Sequence, residues 1–402
     1  MEKLLEKRVI RDVIHGYVHI EDKIIWDCIN TREFQRLRRI RQLGSTAVIF
    51  PSGEHSRATH SFGTYEIAKR MINEVDGLKE YLNEREQMVL MLAALLHDIG
   101  HASFSHSFEH IIHSNHEEYT QQIITGDSEI YDVLSAVDED LPKEVASVIN
   151  HSHPNGVLCQ LISSQLDADR LDYLLRDSYF TGVSYGQIDL DRILRTMRIS
   201  NGKVVIKNTS IYTIENYIMS RYHMYWQVYY HPNSRSYDVL LRQVFTRLRD
   251  LFEENRRIAD EYPMFKAILE KDMLSNDELF LLDDATVMYG FHLMEMGNDK
   301  ILSDLARRIL NRDLFEYSNK TREAELKQLC LNNGFDPNYY VVVDQQSQIP
   351  YKPYSGNSSQ CIWMLTDEGI KELSEVSSVV KSLSYIDEQD ERVFYPREVD
   401  EN

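Results

Sequence analysis

The sequence predicts a mainly helical fold with a smaller C-terminal α+β region. Proline and glycine are scarce, 9 and 16 in 402 residues, so little interrupts helices. The stretch Glu84–Ile99 is apolar on nearly every side, which marks a central buried helix. After about residue 260 the texture changes, and short β-prone runs appear near the C-terminus. The domain expectation is therefore a catalytic helical core over 1–260 and an α+β region over 261–402, serving assembly or regulation.

Val18–Ile25 reads as a short strand or turn. Thr31 followed by Glu33 has the form of a helix start, and that helix is expected to reach Gln42, where Leu43-Gly44 stops it. The loop Phe50–His55 leads to a second helix from about Thr59. Gly100 ends the buried helix. Leu158–Asp177 reads as one helix. Lys203–Ile206, after Asn201-Gly202, forms a hairpin arm. Ile211–Ile258 reads as one or two long helices with a break at His231-Pro232-Asn233. Further on, charged helices run to Asn333. Strands are expected at Tyr339–Val343, Cys361–Leu365 and Arg392–Tyr395, with a helix at Thr366–Ser382. Pro350–Ser359 reads as a loop and Asp387–Asn402 as an acidic, frayed end.

Lys plus Arg number 44 against 64 Asp plus Glu, a net charge of −20. Such a surface repels polyanions, so extensive nucleic-acid binding is excluded as the main role while a local basic pocket remains allowed. Four dispersed cysteines without a C-x-x-C pair suit a reducing compartment. The longest apolar run, Met88–Leu96, is too short to span a bilayer. The N-terminal segment is charged throughout, and the expectation is a soluble, cytoplasmic protein.

Histidine is the unusual entry in the composition: six of 15 fall between His97 and His116. The buried run ends in His97-Asp98, and ionisable groups there are costly unless paired or bound to a metal. His60 opens a helix just after Arg57. At about 100° per residue, Asp169 shares an apolar face with Leu158, Ile162 and Tyr173; Asp172 lies near that face and Asp167 points away. His60, His97, Asp98 and Asp169 thus form an imidazole–carboxylate set suited to Mn, Mg, Fe, Zn or Ni with open positions for water. A divalent ion there would acidify water. His101, His106 and His116 would surround the reaction and titrate in the range a general acid needs.

The set H…HD…D resembles the signature of the HD-domain phosphohydrolases. The likeness extends over residues 8–255: R-D-V-I-H-G-Y-V (11–18), T-R-E-F-Q-R-L-R-R-I-R-Q-L-G (31–44), F-P-S-G-E-H-S-R-A-T-H-S-F-G (50–63), L-L-H-D-I-G-H-A-S-F-S-H (95–106) and L-D-A-D-R-L-D-Y-L-L-R-D (166–177). That order is similar to the dNTP triphosphohydrolase branch, with bacterial dNTPases and the vertebrate sterile-alpha-motif/HD dNTPase. The resemblance implies an HD-domain helical core and hydrolysis of a dNTP to deoxynucleoside and intact triphosphate. It makes His60, His97, Asp98 and Asp169 the metal ligands. It makes His106 the general acid, His101 and His116 contacts of the α-phosphate, and Glu109 the residue orienting those histidines. Substrate contacts would be Gln42 and Leu43 at the sugar, Asp177 at the 3′ hydroxyl, and Tyr173 and Tyr229 packed beside the nucleotide. Arg57, Arg170 and Arg221 would bind phosphate.

Arg32, Arg36, Arg38, Arg39 and Arg41 concentrate positive charge in an acidic chain. The resemblance places an allosteric nucleotide site here, at a subunit interface of a homotetramer, with Arg8, Asn30, Gln35 and Arg38 contributing and Arg11 nearby. Asn30 stands where activated relatives carry an aspartate, and an amide is a poorer partner for guanine's two N–H donors; the activator is another base, or none. The aromatic series Tyr222, Tyr225, Trp226, Tyr229 and Tyr230 has helical spacing and reads as core packing apart from Tyr229. His151 and His153 read as a surface turn near the site rim, and His15 as structural.

Two alternatives belong beside the dNTPase reading. One is an HD phosphohydrolase acting on a 5′-monophosphate, a cyclic dinucleotide or an alarmone; the chain lacks the G-Y-P motif and the E-D pair that would accompany the last two. The other is a nucleotide sensor that keeps the metal for folding.

Overall fold

A computed structural model of the chain describes residues 2–104, 106–112, 115–353 and 361–400, without the side chains of residues 106, 110 and 112. The N-terminal segment, unassigned from sequence, is strand β1 (Lys3–Asp12), paired antiparallel with β2 (Gly16–Asp22). Gly16 closes the turn at φ +77°, a conformation open to glycine. The expected strand or turn at Val18–Ile25 is therefore β2 running into helix α1 (Lys23–Ile29).

The arginine-rich helix is shorter than its sequence suggests. Thr31 caps α2 (Arg32–Arg36) by accepting from the Phe34 N–H, and a single 3₁₀ turn, Leu37–Arg39, follows. The chain stops being helical where its backbone pairs with residues 55–57: Arg57 N–H donates to Ile40 O and Gln42 N–H donates to His55 O. Gln35 donates to Ile29 O and Arg36 to Ile99 O, and Arg41 forms a bridge to Ser56. Helix α3 (Arg57–Glu74) begins two residues before Thr59. Helix α4 (Glu84–Leu96) carries a full capping box, Asn83 with Glu86, and buries Met88–Leu90 and Leu92–Leu96.

After α4 come α5 (His106–Ile112), α6 (His116–Thr125) and α7 (Gly156–Ile162), and then α8 (Ala168–Thr181). The single helix expected over Leu158–Asp177 is thus two. Asp167 breaks it by accepting from the backbone N–H groups of Ser164 and Arg170, an N-cap that competes with helix continuation. Helix α3 packs on α4 and α8, which brings three separated stretches of chain together.

Strands β3 (Met197–Ser200) and β4 (Lys203–Lys207) form the expected hairpin. Helix α9 (Ile211–Met224), a π turn at Tyr225–Tyr229, and α10 (Pro232–Glu254) follow, with the break at His231-Pro232 as the sequence indicates. Helix α11 (Lys300–Leu310) packs on α10.

In the C-terminal region β5 (Glu316–Asn319), β6 (Val342–Gln348) and β9 (Glu388–Tyr395) form a sheet in the order β5-β9-β6. The segment read as a frayed end supplies its central strand. The C-terminal end of β9 buries Val393–Tyr395 in succession, and its acidic residues pair with Arg235 and Lys320. Pro337–Tyr340 is a helical turn, so β6 starts later than expected. The helix expected at Thr366–Ser382 begins instead as a hairpin, β7 (Trp363–Thr366) with β8 (Gly369–Glu372), turned at Gly369 with φ +117°. Two short helices, Leu373–Val376 and Ser378–Leu383, complete that stretch. Strand β7 pairs in parallel with β4, so one sheet crosses the expected boundary near residue 260. The loop expected at Pro350–Ser359 falls from residue 354 onward outside the described residues. Among the described residues no helix is long and apolar enough to cross a membrane. All four cysteines are buried.

Candidate active site

Three helices each bring one part of a buried polar cluster. His60 comes from the first turn of α3, His97-Asp98 from the end of α4, and Asp169 from the first turn of α8. His60 Nε2 lies 3.2 Å from His97 Nε2 and 3.1 Å from Asp169 Oδ1. His97 Nε2 lies 3.7 Å from Asp169 Oδ1 and 3.4 Å from Asp98 Oδ1. Donors sharing one ion at about 2.1 Å, at angles between octahedral and tetrahedral, sit roughly 3.0–3.4 Å apart. The separations are close to that range.

The tautomers point the same way. His97 Nδ1 is 2.9 Å from Ala94 O and His60 Nδ1 is 2.7 Å from Asp172 Oδ2, so each Nδ1 has an acceptor and each Nε2 turns its lone pair inward. Two buried ring nitrogens facing each other at 3.2 Å need either a proton or a metal cation between them. Burial works to lower the His60 pKa, but Asp169 and Asp172 outweigh it and raise it to about 10. Burial works to raise the Asp169 carboxyl, yet His60 and His97 hold it well below the usual range. The donor set, two imidazoles and two carboxylates, fits a divalent ion of intermediate hardness. Asp98 stands between this group and a second one: its Oδ1 is 3.4 Å from His101 Nε2, and its Oδ2 accepts from Arg57 Nη1.

His101 and His116 stack with ring centroids 3.9 Å apart, and Glu109 Oε1 binds His116 Nδ1 at 2.6 Å while lying 4.0 Å from His101 Nδ1. Burial, followed by the charges of Arg57 and His116, holds His101 well below its ordinary pKa, so it is a neutral imidazole. The His106 side chain lies outside the described residues.

Helix α8 presents two adjacent stripes. Asp169, Asp172 and Arg176 face α3, while on the neighbouring stripe Arg170 lines a cavity and Asp177 accepts from the Tyr229 hydroxyl. Arg170 and Arg221 line a cavity of about 320 Å³ together with His151, Tyr225 and Lys352. Arg221 donates one N–H to Pro350 O, and its buried Nε and Nη1 have no hydrogen-bond partner among the described residues. A buried guanidinium with two idle donors is a ready anion site. His151 adopts φ +63° at the cavity wall, and His153 is held in its turn by Asn155. Asp177 is bound on both oxygens, by His55 Nε2 at 2.8 Å and by the Tyr229 hydroxyl at 2.7 Å. Tyr173 meets Tyr229 edge to face at 6.2 Å. Gln42 anchors through its backbone N–H to His55 O, its buried Oε1 has no partner among the described residues, and Leu43 is buried beside Gly53.

The residues expected at an allosteric site gather on the surface around α1 and α2. Arg8 stacks 5.6 Å above Trp26, whose carbonyl accepts from Asn30; Gln35 binds Ile29 O, and Arg38 donates to Gln35 at 3.0 Å. Arg11 stacks on Tyr17. Arg36 is buried, and Arg32, Arg39 and Arg41 pair with Asp277, Asp283 and Glu54, so the five arginines are not one solvated face. Sequence reasoning missed His55 and gave Asp172 no role. Their signals were faint: a histidine inside a matching motif, and a carboxylate near the right helical phase.

Residues 57–177 match the model of the HD domain, and residues 188–264 match that of the HD associated region. The chain is 45% identical to protein YwfO of Bacillus subtilis, uncharacterised in function, over 99% of this chain and 94% of that one. The chain belongs to the HD-domain phosphohydrolases. Its HD segment runs from the start of α3 to Asp177, enclosing His60, His97, Asp98 and Asp169. The chain is also similar to the deoxynucleoside triphosphate triphosphohydrolase SAMHD1 homolog of Dictyostelium discoideum, 29% identical over 63% of this chain and 52% of that protein. A crystal structure of a phosphohydrolase from Bacteroides thetaiotaomicron superposes with a TM-score of 0.84 at 27% identity, covering 98% of this chain and all of that one. This HD-domain hydrolase therefore shares its fold with a relative over nearly its whole length, the C-terminal region included.

Proposed function

We propose that the chain is a metal-dependent dNTP triphosphohydrolase that releases deoxynucleoside and intact triphosphate. The observation that carries the reading is the double stripe of α8: one stripe joins the imidazole–carboxylate cluster while the next carries a phosphate-binding arginine and a sugar-side carboxylate. A triphosphate nucleotide offers a polyphosphate to such arginines and a sugar hydroxyl to such a carboxylate. The naming of the Dictyostelium relative supports the same substrate class.

A divalent cation held by His60, His97, Asp98 and Asp169 would supply Lewis acidity to a water and to the α-phosphate. The chain's own residues do the rest. Arg57, Arg170 and Arg221 bind the polyphosphate and offset its charge. His101, neutral and stacked on His116, contacts the α-phosphate, with Glu109 fixing His116. The water oxygen bonds to the α-phosphorus and gives up a proton to the solvent, the bond to O5′ breaks, and protonated His106 delivers its proton to that oxygen. Asp177 accepts from the 3′ hydroxyl, with His55 and Tyr229 holding its orientation. Gln42 and Leu43 close against the 2′ carbon, where a ribose hydroxyl would find no room. A homotetramer with nucleotides at Arg8, Asn30, Gln35 and Arg38 completes the reading; size-exclusion chromatography with light scattering, with and without nucleotides, tests it.

The decisive assay incubates purified protein with Mn²⁺ and each dNTP, singly and in pairs, and resolves the products. Intact triphosphate and deoxynucleoside are expected. Pyrophosphate or orthophosphate in their place, or turnover of a monophosphate or cyclic dinucleotide alone, overturns the substrate assignment. Asp169→Asn should lower turnover by about 100-fold or more, and chelation by EDTA should abolish it.

A further inference from the structure

The β1–β2 turn sits unexpectedly against the metal cluster. His60 can offer Nε2 to a cation only if Nδ1 carries the proton, and that proton needs an acceptor. Asp172 Oδ2 stands 2.7 Å from His60 Nδ1, and neither side chain has any solvent exposure. A carboxylate so buried stays ionised only when its lone pairs are filled. Four donors fill them. Arg176 donates Nε to Oδ2 at 2.8 Å and Nη2 to Oδ1 at 2.9 Å, His60 donates to Oδ2, and His15 Nε2 lies 2.7 Å from Oδ1.

The remaining contacts tie this carboxylate to the hairpin. Arg176 Nη1 donates to Asp12 Oδ2 at 2.7 Å, while Asp12 Oδ1 accepts from the backbone N–H groups of Ile14 and His15, each at 2.9 Å. Asp12 therefore fixes both the turn and the guanidinium that clamps Asp172. Helix α3 admits the pair only because residue 63 is glycine: a Cβ there would fall 1.8 Å from Asp172 Oδ1 and 2.4 Å from Arg176 Nη2.

We propose that Asp172, held by His15 and Arg176, is the positioning residue that sets His60 for the metal, so that the N-terminal hairpin turn is a working part of the metal centre. This rests on the reading that His60, His97, Asp98 and Asp169 hold a divalent cation. It needs no substrate and stands whichever nucleotide is cleaved. It also gives the hairpin a route to the site: any displacement of the turn moves His15 and Asp12 together and loosens the acceptor of His60.

The test is Mn²⁺ binding to the full-length apoprotein, read by loss of the free-ion electron paramagnetic resonance signal and by calorimetry. Asp172→Asn should weaken binding about 10- to 100-fold, the range for outer partners of metal-bound histidines. His15→Phe removes the donor but keeps a ring, and should weaken binding by roughly 3- to 10-fold, while His15→Gln keeps an N–H donor and should restore it to within about twofold. Thermal unfolding of each apoprotein separates a folding defect from a site defect. Should Asp172→Asn fail to fold, the two His15 variants decide. The inference is overturned if folded His15→Phe binds Mn²⁺ as the wild type does, or if His15→Gln is as weak as His15→Phe. A wild-type chain that binds none of Mn²⁺, Mg²⁺, Fe²⁺, Ni²⁺ and Zn²⁺ removes the metal reading itself.

Discussion

Tyr229 shows how a single side chain joins packing to chemistry. Burial and the Asp177 carboxylate both push its phenol well above the ordinary value, so it remains a protonated donor to Asp177. Tyr229→Phe removes that hydrogen bond with little change in shape. A charge-assisted bond of this kind contributes about 1.5–3 kcal/mol to the fold, so the unfolding temperature should fall, and with Asp177 less firmly held kcat/KM for a dNTP should fall as well. An unchanged kcat/KM would take Asp177 out of the sugar site. Most of the residues in this corner were legible from sequence because they fall inside motifs of a recognised family. His55 was not, since its partner Asp177 is 122 positions away and no local pattern announces the pair.

The element that organises the site is α8, and its placement depends on close approach to α3. Gly63 is the point of contact, where Asp172 and Arg176 occupy the space a side chain would need. Gly63→Ala should cost about 3 kcal/mol or more, at the upper end for overpacking, read as a lower urea midpoint at constant m-value. Helix caps explain where sequence periodicity misled. Leu158–Asp177 keeps its helical rhythm through residues 163–167, yet Asp167 binds two backbone N–H groups there and starts a new helix. The phase drawn from Leu158 to Asp169 had no continuous helix to carry it, although Asp169 does face the cluster. The Thr31 helix, in turn, ends early because the backbone of residues 40–42 pairs with residues 55–57, a partner that lies beyond any local pattern.

Across the whole molecule, the core and the C-terminal region are tied by polar clamps as well as by the β4–β7 pairing. Buried Arg235 of α10 reaches Asp344 on β6 and Asp390 on β9 at 2.8 and 2.5 Å. Arg235→Ala removes the buried cation that joins the two strands, leaving Asp344 to Arg242 and Asp390 to Arg392, and should cost about 1–3 kcal/mol, measured by thermal or urea unfolding; a change well below about 1 kcal/mol would mean that the clamp is not needed. Acid should loosen the same region. Burial works to raise Asp299 and Asp304, but hydrogen bonds from Arg247 to Asp299 and from Arg308 and Arg307 to Asp304 bring both below the usual carboxylate value. Folded pKa values below the unfolded ones mean that the stabilisation is full above about pH 4. It is lost as pH falls through the folded values, so urea midpoints measured between pH 6 and pH 3 should drop, and less so in an Asp299→Asn, Asp304→Asn variant.

The sequence by itself determined the helical class and the family, and it singled out the imidazole and carboxylate residues proposed as metal ligands, because buried helices and short motifs are written locally in residue type and spacing. The tertiary structure alone decided that Asp172 supports His60, that the N-terminal hairpin reaches the cluster, and that an acidic C-terminal segment is the middle strand of a sheet. Each of those depends on a partner far along the chain, and the free energy of a buried ion pair or a strand register is a property of two distant segments at once.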